Sequence, residues 1–418
     1  MSRSRSRAPA RQTNQENDSR LALRSASALF AGATMVALLT LALPARASDA
    51  FSFSGYLKYL YSYGRSTINQ QPFWADITRA RLTGESRLAL PAQTSWVTHV
   101  DYDQELRVGS FLRSLDYQTL GLGEPPSYFK MDQVLGHGGS YFYRHRLYRA
   151  WTGVDSENWT ARFGRQRIAW GTGKFWNPTD VLNPFEPTSI EREERRGVDS
   201  VYARRAVSVL GQGEAAWALG RDWAATDVLG RAHGHAGPSD LSLMGGKISQ
   251  STGSWMAGGD FAADLFGGSF HGEWSYTQPG VRTSYWRALV GYEYTFPSGT
   301  ALGWLKDATL IVEYFDNGRG ATNPARYDPS ILLGGREVSL ARDYLGFGFI
   351  EDLHPLVKLE MYSIVNLDDS STFFNPSLAW NALKDLYLTA GLQRFGGTRR
   401  TEFGRLANIF YLQGQFYF

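Results

Sequence analysis

The chain of 418 residues contains no cysteine, which excludes a disulfide scaffold and any thiolate metal centre. Lysine is scarce: there are seven (Lys58, Lys130, Lys174, Lys247, Lys306, Lys358 and Lys384), so arginine supplies 36 of the 43 basic residues. An excess of one charge sign is also missing. Basic and acidic residues number 43 and 40, and beyond residue 47 they number 36 and 38. The basic balance therefore belongs to the amino-terminal leader, and no nucleic-acid partner is expected. Beyond that leader no apolar run reaches helix-spanning length, so helical membrane spans are not expected there.

The leader reads as an export signal. Arg3, Arg5, Arg7, Arg11, Arg20 and Arg24 precede an apolar run from Ala26 to Leu43, followed by the small-residue site Ala45-Arg46-Ala47. This is the layout of a secretory signal peptide spanning residues 1–47, with Sec-type export and cleavage near Ala47-Ser48. The run falls short of the ~20 residues a spanning helix needs. Residues 48–418 are expected to form one domain.

The chain is rich in glycine (44) and aromatics (14%), yet its mean hydropathy is polar, at −0.32. Period-two alternation dominates from Phe51 to Phe418, in runs of about ten residues broken by turn residues. In the first run Phe51, Phe53, Leu57, Tyr59, Tyr61 and Tyr63 share a face, opposite Ser52, Ser54, Lys58 and Ser62. Between Trp74 and Leu90, Ala80, Leu82, Leu88 and Leu90 oppose Arg79, Arg81, Glu85 and Arg87. Next, Trp96, Val100, Tyr102 and Leu106 oppose His99, Asp101, Asp103 and Glu105.

One such strand could belong to a soluble sheet; many in succession, with connections that alternate in length, point to a membrane barrel with short periplasmic turns and long outer loops. Connections are short at Pro91-Ala92, Asp155-Ser156-Glu157, Asp352-Leu353-His354 and Asn381 to Asp385. They are long at Arg107 to Gly139, Gly171 to Gly197 and Asn317 to Arg336. The expected fold is all-β: a transmembrane antiparallel up-and-down β-barrel of about 18 strands, with 16 as the alternative because the stretch from Val198 to Leu243 is ambiguous. A monomer is the default. In the last run Phe410, Leu412, Phe416 and Phe418 share a face. That terminal strand resembles the carboxy-terminal signature of outer-membrane barrels, which implies the barrel-assembly machinery as a partner through Phe418, besides outer-membrane lipid and lipopolysaccharide.

The densest motif runs Gly164-Arg165-Gln166-Arg167-Ile168-Ala169-Trp170-Gly171 and continues through Phe175-Trp176-Asn177-Pro178-Thr179-Asp180-Val181-Leu182-Asn183-Pro184-Phe185-Glu186. Each Asn-Pro pair is followed by an acid two residues after the proline, the order of N-cap, N1 and N3 in a helix start, so two short helical turns are expected. The pattern resembles one in a porin-like family of Gram-negative outer-membrane barrels; the resemblance covers about two dozen residues and implies no substrate. Gly171 to Gly197 reads in two ways. It folds into the lumen as a constriction carrying Trp176, Asp180, Glu186, Glu191, Arg192, Glu193 and Glu194, or it caps the barrel, self-paired through Arg192, Arg195 and Arg196.

Arginines recur on polar strand faces: Arg79, Arg81 and Arg87; Arg144 and Arg146 opposite Tyr141, Tyr143, Leu147 and Trp151; Arg162 opposite Trp159 and Phe163. With Asp101 and Asp103 these are the candidate pore-lining residues. Inward guanidinium groups attract carboxylate or phosphate solutes, or they pair with the acids as a ladder that fills the lumen. Parity fails at His145, Arg149, Arg165 and Arg167, which land on the lipid face unless a bulge intervenes.

The function expected is an outer-membrane channel for passive passage of small polar or anionic solutes. The alternatives are a barrel for export or assembly of surface polysaccharide and, less favoured, an outer-membrane hydrolase. The last would need a histidine beside a serine or acid at the rim. His233-Gly234-His235 is the one such pair; read as polar residues of a Gly/Pro turn, it leaves no catalytic residue, metal site or cofactor expected.

Overall fold

The computed structural model describes residues 50–418, apart from 121–126, 185, 193, 196, 251, 281, 301–302 and 335. The leader, and with it the expected signal peptide, lies outside the described residues, as do Phe185, Glu193 and Arg196 of the motif region.

The alternating runs become strands of one antiparallel sheet. In chain order these are β1 (Phe51–Arg65), β2 (Pro72–Leu90), β3 (Thr94–Gly109), β4 (Asp132–Gly138), β5 (Tyr141–Ser156), β6 (Trp159–Gln166), β7 (Val198–Ala206), β8 (Gln212–Ala218), β9 (Asp227–Ala236) and β10 (Ser239–Lys247). The chain continues through β11 (Trp255–Leu265), β12 (Gly268–Gln278), β13 (Tyr285–Thr295), β14 (Thr309–Asn317), β15 (Asp343–His354), β16 (Val357–Asn366), β17 (Thr372–Leu383), β18 (Leu386–Gly396) and β19 (Ile409–Tyr417). Sequence neighbours pair, and β19 pairs back onto β1 from Tyr56↔Tyr417 to Gly64↔Ile409, which closes the wall. Closure removes the sheet edges that lipid cannot satisfy.

Nineteen strands belong to the sheet, but β4 is not a full stave. β3 pairs directly with β5, and β6 covers β5 only from Ala150 to Asp155; β4 covers it from Tyr141 to Arg146. β4 thus continues the line of β6 after the chain leaves that strand at Gln166. The wall is a closed 18-stranded porin-like barrel, and the ambiguous stretch resolves into the four short strands β7 to β10.

The pleat separates two environments. Outward positions are large and apolar, among them Leu241, Leu243, Trp286, Leu378, Trp380, Phe410 and Leu412, all exposed. Inward positions are mostly polar and buried, including Arg79, Asp103, Glu105, Asp260, Glu273, Glu313 and Gln415. A lipid-facing apolar surface around a polar interior is what a membrane barrel requires.

Connections on one end are tight: residues 91–93, 157–158, 237–238, 266–267, 355–356 and 384–385. The longest, 110–140, 167–197 and 318–342, lie together at the other end. One connection departs from the expected rule. Residues 296–308 form an extended link at the tight-turn end, stapled by Asp307 N to Phe296 O and Ser298 Oγ to Asp307.

Two parity failures have structural causes. A β-bulge in the β3–β5 pairing jumps from Asp101↔Arg149 to Tyr102↔Leu147 and leaves Tyr148 as the extra residue. The bulge turns Arg149 inward, where it donates to the Arg195 carbonyl at 2.9 Å. Trp151, expected on the outer face, is also turned inward and stacks on His99 with centroids 5.5 Å apart. Arg165 keeps its outward parity but is buried under the segment before β4. It pairs with Asp199 at 2.8 Å and donates to the Phe129 carbonyl at 2.7 Å. His145, outward, is held by Tyr102 at 3.1 Å and Gln133 at 3.2 Å, and Arg167 is exposed.

Candidate functional site

After Gln166 the chain turns away from the wall, and the described residues of 167–197 run through the barrel interior, touching the wall at mid-strand positions. Two apolar clusters anchor the segment. Ile168, Trp170, Val181 and Leu182 pack with Ala216, Leu229, Met244 and Met256 of β8 to β11. Phe175 and Trp176 pack with Leu289, Ile311, Phe315, Tyr344 and Ile364 of β13 to β16. Trp176 is 1% exposed, stacks on Phe315 at 5.3 Å, and donates its indole N–H to Ser339 at 3.1 Å.

Backbone amides of the segment are satisfied by wall carboxylates. Glu273 of β12 accepts from the amides of Thr172, Gly173 (2.8 Å) and Thr179, and from the Thr179 hydroxyl (2.9 Å). Glu313 of β14 accepts from the amides of Lys174 and Phe175 (2.9 Å) and meets His271 Nε2 at 2.9 Å. Gly171, at φ +108°, fits against the Glu273 carboxylate because it has no Cβ; a Cβ there would stand 2.6 Å from Glu273 Oε1. Hydrogen bonds from several donors to two buried carboxylates fix the segment far more firmly than a surface loop.

Among the described residues, no helix forms at the Asn-Pro pairs. Asn177 donates through Nδ2 to the Gly173 carbonyl at 3.1 Å, and Asn183 accepts the Ile168 amide at 2.9 Å, so both side chains tie back to earlier residues. The segment is a chain of turns, with Asp180 N bonded to Asn177 O and Asp180 Oδ1 accepting the Asn183 amide. Tertiary anchoring overrides the local cap geometry.

The far side of the segment meets the arginine ladder. Glu191 pairs with Arg79 at 2.7 Å and Lys58 at 3.2 Å; Glu194 pairs with Arg81 at 3.0 Å, Lys58 at 3.3 Å and Arg79 at 3.7 Å. Behind them Arg81 binds Asp103 through two nitrogens, at 2.6 and 2.8 Å, and Arg146 reaches Asp103 at 3.2 Å. Glu105, fully buried, takes Arg79, Arg107 and Arg144 at 2.8 Å each. Among the described residues, six cations (Lys58, Arg79, Arg81, Arg107, Arg144 and Arg146) contact four carboxylates (Asp103, Glu105, Glu191 and Glu194). The ladder is therefore densely paired, its guanidinium groups held by carboxylates of both the wall and the segment.

The other candidates divide. Asp101 adjoins the ladder, bound by Thr83 at 2.7 Å and 3.3 Å from His99. Arg87 and Arg162 do not belong to it: both lie near the tight-turn end around Asp155, at 3.9 and 3.3 Å, with Arg162 over the Trp151 ring at 4.3 Å. Arg192 lies over the Tyr362 ring at 3.7 Å. Glu186 is exposed and close to Thr188 at 3.4 Å. Burial pushes the Asp180 carboxyl up to about 7, against the Asn183 amide and Arg195. Burial pushes Glu194 the same way, but Arg81, Lys58 and Arg79 overcome it and hold the group at about 2.

Sequence reasoning missed Lys58, Glu273 and Glu313 as site residues. The available signal was an ionisable residue on the inward face of a strand; what no pattern disclosed was that their partners would come from residues 172–194.

No family model matches the chain, and no curated protein matches it. Solved structures do. OccAB2 of Acinetobacter baumannii superposes with a TM-score of 0.55 at 10% identity, over 88% of this chain and 98% of that one. The outer membrane protein opdK of Pseudomonas aeruginosa gives 0.54 at 9% identity, over 88% and 98%. OccD3 (OpdP) of Pseudomonas aeruginosa gives 0.53 at 10% identity, over 88% and 91%. At these identities the likeness is one of fold: that of a porin-like outer-membrane barrel.

Proposed function

We propose that this protein is an outer-membrane channel for passive passage of small polar or anionic solutes, with residues 167–197 as its constriction. The observation that carries the reading is the docking of that segment across the interior, from the apolar clusters and the Glu273 and Glu313 carboxylates to Lys58, Arg79 and Arg81. An inward segment fixed at both sides narrows a barrel and sets a size limit by its rigidity. Lys58, Arg79 and Arg81 beside the segment support the anion preference, since fixed positive charge in a narrow lumen raises the local concentration of negative solutes.

The ladder's role differs from a bare row of guanidinium groups. Arg79 and Arg81 are buried and engaged, so they act on solutes through the net field and through their grip on Glu191 and Glu194.

Export through the leader to the outer membrane, contact with lipopolysaccharide, and recognition by the barrel-assembly machinery through the strand ending at Phe418 belong to the same reading. Liposome swelling with the purified protein tests it. Uptake of small organic anions and monosaccharides, with exclusion of oligosaccharides, is expected. Impermeability to all of them, with the barrel folded, would overturn the channel and favour the surface-polysaccharide export reading, in which a docked segment plugs the lumen.

A further inference from the structure

The histidine pair outside the constriction is not in a turn. His233 and His235 lie on β9 with the inward parity of buried Leu229 and of Arg231, while their β10 neighbours Leu241 and Leu243 point outward and are exposed. Residues i and i+2 of a strand project side by side on one face, and His235 is in direct register with Asp240 on β10. One donor atom from each of His233, His235 and Asp240 falls within 4.8 Å of the others.

We propose that His233, His235 and Asp240 form a binding site for a borderline divalent metal ion of the Zn²⁺ class at the tight-turn mouth of the lumen. The donor set is two imidazole nitrogens and one carboxylate oxygen, which suits zinc, nickel or copper and not calcium or magnesium. Three protein ligands leave a fourth position for water. Metal–ligand bonds of about 2.0–2.2 Å place tetrahedral donors about 3.3–3.6 Å apart, so His235 and Asp240 part from their 2.6 Å contact while His233 moves in, by side-chain rotations.

Three further features support the site. Asp240 Oδ1 is closed to solvent, makes no hydrogen bond of proper geometry and lies 2.6 Å from His235 Nε2, so these two donors already stand side by side. His233 Nδ1 is 3.0 Å from the buried Ser242 hydroxyl, which leaves Nε2 as the free donor and fixes the ring, as an outer partner does for metal-binding histidines. Arg231, the nearest inward cation on β9, is paired with Asp260 at 3.1 Å and Glu214 at 3.4 Å, so its charge is already neutralised. The His235 and Asp240 side chains at the mouth are 38% and 48% exposed, open to ions entering from that end.

Equilibrium dialysis of the untagged, detergent-purified full barrel against micromolar Zn²⁺, with elemental analysis, tests the proposal. One equivalent per chain is expected, weakened roughly hundredfold in His233→Ala/His235→Ala and about tenfold or more in Asp240→Asn, since even outer-shell losses cost about 10–100-fold. His99→Ala serves as the control and should bind normally. Equal binding by wild type and the double variant, or an equal loss in the control, would overturn the site. Co²⁺ titration of the wild type gives a readout that needs no variant: strong visible bands of a low-coordinate ion support it, and only the weak bands of the hydrated ion contradict it. Neither readout depends on the chain conducting solutes.

Discussion

Replacing both segment acids, Glu191→Gln/Glu194→Gln, isolates the electrostatics of the constriction. The wall strands keep Asp103 and Glu105, and the segment keeps its amide bonds to Glu273 and Glu313 and its aromatic anchors, so it stays docked. What changes is charge: the cluster loses two negative charges while Lys58, Arg79 and Arg81 stay in place. A unit charge about 8 Å from a passing ion, in a lumen of effective dielectric constant about 40–80, contributes about 0.5–1 kcal/mol. Two uncovered charges therefore favour an anion by about 1–2 kcal/mol, a roughly five- to thirty-fold gain in local concentration. In planar bilayers under a roughly tenfold potassium chloride gradient at or below about 0.1 M, the reversal potential should move toward the chloride equilibrium value. At about 1 M salt, where the screening length falls to about 3 Å, most of the shift should vanish. Arg79→Ala/Arg81→Ala should move it the opposite way. Unchanged reversal potentials at low salt in both variants, with heat-modifiable gel mobility intact, would refute the placement of these residues beside the permeation path.

Glu105→Gln leaves Arg79, Arg107 and Arg144 short of a fully buried carboxylate and should cost about 3–5 kcal/mol, read as a lower urea midpoint for the barrel; a change under about 0.5 kcal/mol would contradict the ladder's structural role. Trp176→Ala removes the ring packed on Phe315 and Tyr344 and should loosen the segment by about 3–5 kcal/mol, exposing residues 167–197 to limited proteolysis that spares wild type. Asp180, raised from 3.8 to about 7, favours the docked segment when protonated. That contribution is complete below pH ~4 and is lost as pH rises through about 7, so gating events should be more frequent at about pH 8 than at about pH 5. Asp180→Asn should flatten the dependence; an unchanged profile in that variant would assign it elsewhere. Glu194, held at about 2, stays ionised throughout this range.

The wall was legible because one physical rule, lipid outside and polar groups inside, writes itself into every second residue. Strand count, closure and the outward face of Phe410 and Leu412 derive from it. Departures from the rule were visible as anomalies without their cause: Arg149 needed the bulge at Tyr148, and Arg165 needed a cover, Phe129, from a distant part of the chain. The acids of the constriction were identifiable, but their partners were not, because Lys58 and Arg79 are more than a hundred residues from Glu191. The two Asn-Pro pairs misled for a related reason: a cap signal is local, and here the asparagine side chains are used to fold the segment back on Gly173 and Ile168. Glycines at 234 and 237 made His233 and His235 look like turn residues, when β9 runs through Ala236.

Single-channel recording of the refolded barrel in a planar bilayer decides whether its lumen conducts. Steady channels of low conductance and mild anion preference are expected, growing larger and noisier when Trp176 is replaced by alanine. A bilayer that stays silent for wild type and Trp176→Ala alike, with the barrel shown to be folded, would contradict the proposed channel.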